Sequence, residues 1–430
     1  MRKYVIDGRR PLYGDVTISG MKNAALPIIF ATILTGSRCV LRNIPFVNDI
    51  MVSLDILKSM GAKVTMLAKN VVEIDTQHFE PGTSPVELVG KVRGSTYLLG
   101  AELGRYSSTR VTWPGGCDFG TRPIDQHIKG FRALGAEVET ESGFIVAEAK
   151  NGLKGDSLYF DVASVGATVN VILASIMAEG TTIIDNAARE PHIVDLANFL
   201  NTCGADISGA GTSMIKVRGV KSLHGCDYTI IPDMIEAGTY MAAVAAAGGC
   251  VTVHSVITRH IETISAKLRE MGVSVEEISS GVIVSSNRVY QSTNIKTLPY
   301  PGFATDMHPQ FAAMLSLANG VSNITETIWE SRFRYVDELS KMGASITVDG
   351  RHATIIGKGH LSGAPVTALD LRAGAALDIA VLAAVGTTEI MNAENTIERG
   401  YEDIVGKLQG IGADIRCQNE PEPDYLLRAN

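Results

Sequence analysis

Apolar residues fall along this chain in two kinds of run, and the two kinds alternate. Runs such as "ATVNVILASIMAEG", "TYMAAVAAAGG" and "AALDIAVLAAVG" are apolar nearly all round and predict helices buried on every side. Runs of the second kind are amphipathic. In "RHIETISAKLREMGVSV" the apolar residues Ile261, Ile264, Leu268 and Met271 follow three- and four-residue steps, one face of a helix. A short phrase closes each amphipathic run: "MGAKV", "LGAEV", "CGADI", "MGVSV", "MGASI" and "IGADI". Its glycines, Gly61, Gly135, Gly204, Gly272, Gly343 and Gly412, lie roughly 70 residues apart, a longer period than that of the common solenoids. The glycine supplies the left-handed turn that ends a helix, and the β-prone pair after it starts a strand. Alternating stretches such as "TTIIDNA" and "CVTVHSV" suit sheets with one face covered and one in water. The pattern predicts an α/β protein of two inside-out domains, each made of three repeated units with buried helices inside and sheets outside.

Composition changes this picture little. The 430 residues, 45% hydrophobic and 20% charged, are ordinary globular material and enough for two cores. A net charge of −8 argues against bulk binding to nucleic acid or anionic membrane. The opening "MRKYVIDGRRPLYGD" lacks the apolar core of a signal peptide, and no apolar run has the length of a membrane span. Six scattered cysteines (Cys39, Cys117, Cys203, Cys226, Cys250, Cys417) include no CxxC pair. Their spread suggests neither a zinc site nor a disulfide framework but a reduced cytoplasmic protein. Cys203 and Cys250 read as buried structural thiols.

The chemistry is concentrated where the repeat turns. Just ahead of the buried runs stand Lys22 and Asn23, Arg93, Ser164, Asp233 and Glu236, Asp306, and Asp370 with Arg372; Arg122, Arg189 and Glu190, Arg332 and Arg334, and Arg399 open amphipathic ones. Helix starts carry free N–H groups and partial positive charge. Six such ends pointing the same way, with Lys22, Arg93, Arg122, Arg332, Arg372 and Arg399 added, predict a site for a substrate with several negative charges, since arginine's planar fork suits carboxylate and phosphate. Taken singly, each of these charges also reads as a solvated helix-start residue. Asp306 has two readings, a stabiliser of its helix dipole or an ionised proton acceptor among arginines, and sequence leaves both open.

"PGGCDFGTRP" places Cys117 behind two glycines that let the backbone approach a ligand, ahead of a helix expected to start at about Pro123. Nearby Arg122 favours the thiolate, so a reactive role is expected. His127 has the reach to approach it, but no spacing signature of a protease dyad accompanies the pair.

The segments "TISGMKNAALPI", "PGGCDFGTRPIDQHI", "SVGATVN", "NAAREPHIVD", "TDMHPQF", "TETIWESRF", "DLRAGAAL" and "IERGYEDI", in this order and across essentially the whole chain, closely resemble the UDP-N-acetylglucosamine 1-carboxyvinyltransferase family. The resemblance implies one domain over about 22–231 that carries the mobile cysteine loop, and a second that joins 1–21 to 232–430. It implies transfer of the enolpyruvyl group of phosphoenolpyruvate to the 3′-hydroxyl of UDP-N-acetylglucosamine with release of phosphate, the first committed step of peptidoglycan precursor synthesis. No metal or organic cofactor takes part. Lys22, Arg122 and Arg399 match positions that hold phosphoenolpyruvate, with Arg332 and Arg372 in the same anion-binding set. Asp306 matches the residue at the sugar hydroxyl. Cys117 matches the loop cysteine, proton donor to the methylene carbon and target of the epoxide antibiotic fosfomycin. Nucleotide and sugar contacts carry over to Asn23, Arg93, Arg122, Pro123, Ile124, Asp125, Gln126, Ser164, Val165 and Ile328.

Two positions depart from the pattern. Val162 and Met234 stand where some members carry a lysine and an arginine, which bears on nucleotide affinity and closure. Two other readings compete: the sister enzyme 5-enolpyruvylshikimate-3-phosphate synthase, which does not depend on a cysteine in this loop, and a silent ligand-binding paralogue, disfavoured by intact Lys22, Cys117, Asp306 and Arg399.

Overall fold

The structure is a computed structural model that describes residues 2–82, 84–113, 115 and 123–419. Two compact units result: Gly20–Ile231, and Met1–Ser19 together with Pro232–Asn430. Helices alternate in kind along both. In the first unit they are α1 (Lys22–Thr35), α2 (Asn48–Ser59), α3 (Tyr97–Tyr106), α4 (Asp125–Ala133), α5 (Val165–Ser175) and α6 (Pro191–Thr202). The second contains α7 (Met234–Ala247), α8 (Glu262–Glu270), α9 (His308–Leu315), α10 (Val336–Lys341), α11 (Leu371–Ala383) and α12 (Ile404–Gly410).

The odd-numbered helices are the apolar ones and form the cores. Every residue of α7, α9 and α11 is buried, as is all of α1 except Asn23. A helix with no polar stripe has nothing to offer water, so it is enclosed on all sides. Some of these helices approach so closely that only glycine fits between them. A side chain at Gly100 of α3 would meet the Asn170 carbonyl oxygen of α5 at 2.4 Å. The even-numbered helices bury one stripe; Ile261, Ile264, Leu268 and Met271 are all at most 1% exposed. Helix α4 starts at Asp125, two residues later than the sequence suggests, because Pro123 stays exposed outside it and Ile124 takes the capping position.

The sheets pack directly against the buried helices, strands 249–254 and 281–286 on α7 and strand 108–112 on α3. The first unit has sheets of strand order 227–229, 38–42, 71–75, 63–68; then 108–112, 144–148, 137–141; then 206–208, 214–218, 181–185, 157–159. In the second unit the orders are 274–278, 281–286, 249–254, 12–17; then 295–296, 321–325, 352–356, 345–349; then 366–367, 387–391, 2–7, 414–419. Each four-stranded sheet joins one parallel edge pair to antiparallel neighbours. In three of these sheets the parallel pair arises from a strand–buried helix–strand crossover, which cannot be a hairpin; in the other two, 227–229 with 38–42 and 12–17 with 249–254, it joins strands far apart in sequence. Each unit closes on itself. Strand Asp227–Thr229, the last of the first unit, pairs in parallel with Arg38–Arg42, its first. Strand Arg2–Asp7 fits between Thr387–Met391 and Asp414–Asn419. The three-stranded sheet is the exception: ahead of α3 the chain forms the short helical turn Val86–Val89 and the 3-10 turn Arg93–Thr96 in place of an edge strand.

All six phrase glycines adopt positive φ, from 88° at Gly61 to 100° at Gly204. Around Gly135, Gly272 and Gly343 a Cβ would meet nothing within 4 Å, so backbone conformation and not space selects glycine there. Strand phase corrects one expectation. Cys250 is exposed on Gly249–His254, because Val251 and Val253 are the residues of that strand that turn inward.

Gly272→Ala is expected to destabilise the protein by about 1–2 kcal/mol, the cost of holding an L side chain at positive φ, and Gly272→Asn by less. Denaturant midpoints measured at unchanged slope check this; an alanine variant as stable as the parent would show that the turn is not strained.

Candidate active site

The unusual polar residues fall at the N-termini of the buried helices. Lys22 and Asn23 begin α1; Arg93 opens the turn that leads into α3; Ser164 caps α5 by accepting from the Ala167 N–H at 3.3 Å. Asp233 caps α7 through the N–H groups of Ile235 and Glu236, and Asp370 caps α11 through those of Arg372 and Ala373. Each such side chain satisfies donors that a buried helix end would otherwise leave bare.

In the unit that carries α7, α9 and α11, these ends meet. Asp306, in a 3-10 turn just before α9, accepts from Arg332 at 2.9 Å on one carboxylate oxygen and from Arg372 at 3.0 Å on the other. Both guanidiniums are nearly enclosed, at 4% and 3% exposure, whereas the Asp306 side chain remains 28% exposed. A carboxylate aligned in this way keeps lone pairs for a further donor from solvent or substrate. Burial alone would lower the charge affinity of Arg372; Tyr401 and the carboxylates of Asp306 and Asp233 outweigh it and raise it.

Tyr401 is the hub of this end of the unit. Its hydroxyl lies 3.0 Å from Arg372 of α11, 3.3 Å from the Gln310 amide of α9 and 2.9 Å from Thr239 of α7. The Arg372 guanidinium and the Gln310 amide nitrogen can only donate, so Tyr401 accepts from both and gives its own proton to Thr239, which passes its proton to the Ile235 carbonyl. One hydroxyl thus ties together three buried helices. Arg399, half-buried in the 3-10 turn Ile397–Arg399, is fixed two residues from it.

A second anchor sits beneath Arg332. The fully buried Glu326 carboxylate accepts from Thr297, Thr305, the His308 ring and the N–H groups of Ile328 and Trp329, at 2.7–3.1 Å. It therefore shapes the loop that presents Ile328 and Arg332. Burial pushes the His308 ring down; the neutral ring donates from Nδ1 to Glu326 and accepts at Nε2 from Tyr335, 2.7 Å away. Burial would raise Glu326, but the bond from His308 and those from Ile328 and Thr305 prevail and take it from 4.5 down to about 2.

In the other unit, Lys22 is 3.0 Å from Asp49 of α2, both side chains about one-tenth exposed. Gln126 of α4 donates to Asp125 and Asp161 and accepts from the Asp161 N–H, holding the turn ahead of Ser164 and Val165. Ile124 is buried and Pro123 and Asp125 are exposed. His127 is buried, and burial lowers it to about 4, with Arg93 acting in the same direction. Val162 is 66% exposed. Cys117 and Arg122 lie outside the described residues.

The connections between inner strand and amphipathic helix differ in length. They span 43–47 and 186–190 at their shortest, but 113–124, 326–335 and 392–403 where Cys117 and Arg122, Ile328 and Arg332, and Arg399 fall. Sequence reading missed Asp49, Tyr401, Glu326 and His308. Tyr401, Glu326 and His308 all stand inside phrases already singled out, "IERGYEDI", "TETIWESRF" and "TDMHPQF", where more conspicuous neighbours drew the reading. Arg334 and Arg189 are exposed, in keeping with solvated helix-start residues.

The sequence profile of the family described as EPSP synthase (3-phosphoshikimate 1-carboxyvinyltransferase) matches residues 6–408. The structure of the enolpyruvyl transferase NikO from Streptomyces tendae superposes with a TM-score of 0.88 at 26% identity, over 98% of this chain and 99% of that one. EPSP synthase from Acinetobacter baumannii shares the fold, with a TM-score of 0.77 at 20% identity over 97% of this chain and all of that one. The fold is that of an enolpyruvyl transferase built from two inside-out α/β domains. UDP-N-acetylglucosamine 1-carboxyvinyltransferase 3 of Caldanaerobacter subterraneus subsp. tengcongensis is 53% identical over 96% of this chain and 99% of its own length, and the Clostridium botulinum enzyme of the same name 51% identical over 96% and 99%. The chain belongs to the UDP-N-acetylglucosamine 1-carboxyvinyltransferase family. Among the described residues, no helix is long and apolar enough to cross a membrane.

Glu326 yields a pH prediction. Its carboxyl is held below its unfolded value, so it contributes stability above about pH 4.5 that is lost as pH falls through about 2. Glu326→Gln should therefore be less stable than the parent near neutrality, with the gap narrowing in acid; a constant gap from pH 7 to 2.5 would contradict the assignment. Tyr401→Phe should cost about 1–3 kcal/mol and lower kcat more than it changes fold content, measured by circular dichroism beside turnover.

Proposed function

We propose that this protein transfers the enolpyruvyl group of phosphoenolpyruvate to the 3′-hydroxyl of UDP-N-acetylglucosamine and releases phosphate, the first committed step of peptidoglycan precursor synthesis in the cytoplasm. The observation that carries the reading is Asp306, aligned by two buried arginines at the point where three buried helices begin.

The acceptor hydroxyl adds to C2 of phosphoenolpyruvate while a proton goes to C3, which gives a tetrahedral phospho-ketal. Loss of a C3 proton and of phosphate from C2 then restores the double bond. Asp306 accepts the hydroxyl proton. Arg372 and Arg332 fix its orientation and, with Lys22, Arg122 and Arg399, offset the charge of the phosphate and carboxylate as it shifts. Cys117 delivers the proton to the methylene carbon and is the nucleophile that fosfomycin alkylates. Asn23, Arg93, the 123–126 segment, Ser164, Val165 and Ile328 hold the nucleotide and sugar. Exposed Val162 offers no charge to the diphosphate, so nucleotide affinity rests on the other residues of this set. No step calls for a metal or an organic cofactor.

Phosphate release from phosphoenolpyruvate, with UDP-N-acetylglucosamine or shikimate 3-phosphate offered separately, tests the acceptor. Release with the UDP-sugar alone is expected; release with shikimate 3-phosphate alone would make the chain a 5-enolpyruvylshikimate-3-phosphate synthase in activity. Asp306→Ala is expected to abolish turnover with its fold intact, and near-normal rates would remove it from proton transfer. Cys117→Ser is expected to lose multiple turnover and fosfomycin labelling together.

A further inference from the structure

Three of the six cysteines, far apart in sequence, meet in the unit Gly20–Ile231. Cys39 turns inward from strand Arg38–Arg42, Cys203 ends α6, and Cys226 immediately precedes strand Asp227–Thr229. Their sulfurs all lie within 4.8 Å of one another, and those of Cys203 and Cys226 are 3.3 Å apart. Cys39 and Cys203 are fully buried, and Cys226 is half-buried at the mouth of the cluster. Backbone bonds fix the arrangement: Val40 N–H donates to the Cys226 carbonyl at 2.8 Å and His224 N–H to that of Cys203 at 2.9 Å.

The repeat shows that ordinary packing does not require thiols here. At the place of Cys203 the other five units carry Met60, Leu134, Met271, Met342 and Ile411, all buried. At the place of Cys39, the second residue of the inner strand, Thr109, Thr182, Ser322 and Thr388 stand buried in four of them. A thiol thus stands where the other units carry a large apolar residue, and another where four of them carry a hydroxyl, at the point where a third thiol converges. An ion bonded to three thiolates at about 2.3 Å would hold them about 4 Å apart, a spacing that lies between the 3.3 Å of Cys203 and Cys226 and the 4.8 Å that encloses all three. Among the described residues no histidine or carboxylate joins the three sulfurs, and the nearest hydroxyl, Thr35 Oγ1, lies 3.6 Å from Cys39 Sγ. Such a set selects soft ions, and three donors suit one of low coordination number better than tetrahedral zinc.

We propose that Cys39, Cys203 and Cys226 form a three-sulfur site for a soft monovalent cation of the class of Cu(I). Binding displaces the thiol protons to solvent and changes no oxidation state. Because Cys39 sits on the first strand of the unit and Cys226 precedes the last, which pairs with it, the ion closes the ring of three repeats with a coordinate bond on each side.

The test uses the full chain, reduced and anaerobic, with Cys117→Ser, Cys250→Ser and Cys417→Ser so that only these three thiols remain. Cu(I) is titrated in competition with a chromogenic Cu(I) chelator. One Cu(I) per chain is expected, with a rise in Tm, and Cys39→Thr in the same background should weaken binding at least 100-fold and abolish the rise. Cys39→Thr borrows the residue found at positions 109, 182 and 388; should it fail to fold, Cys226→Ser at the half-buried position carries the same expectation. No uptake, uptake unchanged by either substitution, Zn(II) bound as tightly as Cu(I), or a Cys203–Cys226 disulfide formed in place of ion binding would each overturn the site.

Discussion

Everything in this molecule follows from the difficulty of ending an apolar helix inside a protein. A helix that is apolar all round must be enclosed, yet its first turn presents N–H groups that cannot be left bare in a core. Three of the six buried helices meet that demand with a side chain at the start: Ser164, Asp233 and Asp370 accept directly from backbone N–H groups. Arg332 and Arg372 are buried beside Asp306 where α9 and α11 begin, and the chemistry settles at that end.

Buried polar groups repay their desolvation when they are hydrogen-bonded. The Tyr401 hydroxyl and both oxygens of the Glu326 carboxylate are, and they act at different levels. Tyr401 fastens α7, α9 and α11 to one another through Thr239, Gln310 and Arg372. Glu326 fastens a loop to α9 through His308 and Thr305. Between them they set the position of Arg372 and Arg332, and hence of Asp306. The repeats supply a rigid frame, and the longer connections hung on it carry the residues that differ from repeat to repeat.

Much of this was legible in the chain. The phrase glycines, fixed by their positive φ, marked the repeat, and the contrast between all-round and one-sided apolar runs marked which helices lie inside. Lys22, Asp306, Arg332 and Arg372 were legible because charge beside a wholly apolar run is conspicuous. Asp49 and Glu326 were not: a carboxylate whose partners are a distant lysine, or hydroxyls and backbone N–H groups from three segments, has no local signature. The meeting of Cys39 with Cys203 and Cys226 depends on ring closure, which no spacing reveals. Cys250 was misread because a strand begun one residue earlier or later turns the opposite set of side chains outward.

Where the chain passes from one unit to the other, its outgoing and returning paths run side by side. Met21 N–H bonds to the Ile231 carbonyl at 2.8 Å within one unit, and Asp233 N–H bonds to the Ser19 carbonyl at 2.9 Å within the other. Residues 20–231 are therefore an insertion whose two ends are neighbours, and the host chain on either side of it is already joined by a hydrogen bond. Such geometry is that of a domain that can be opened at a new point and resealed at the old one: a circular permutant of 20–231, and a host in which Ser19 leads by a short turn into Pro232, both preserve every strand pairing of the parent.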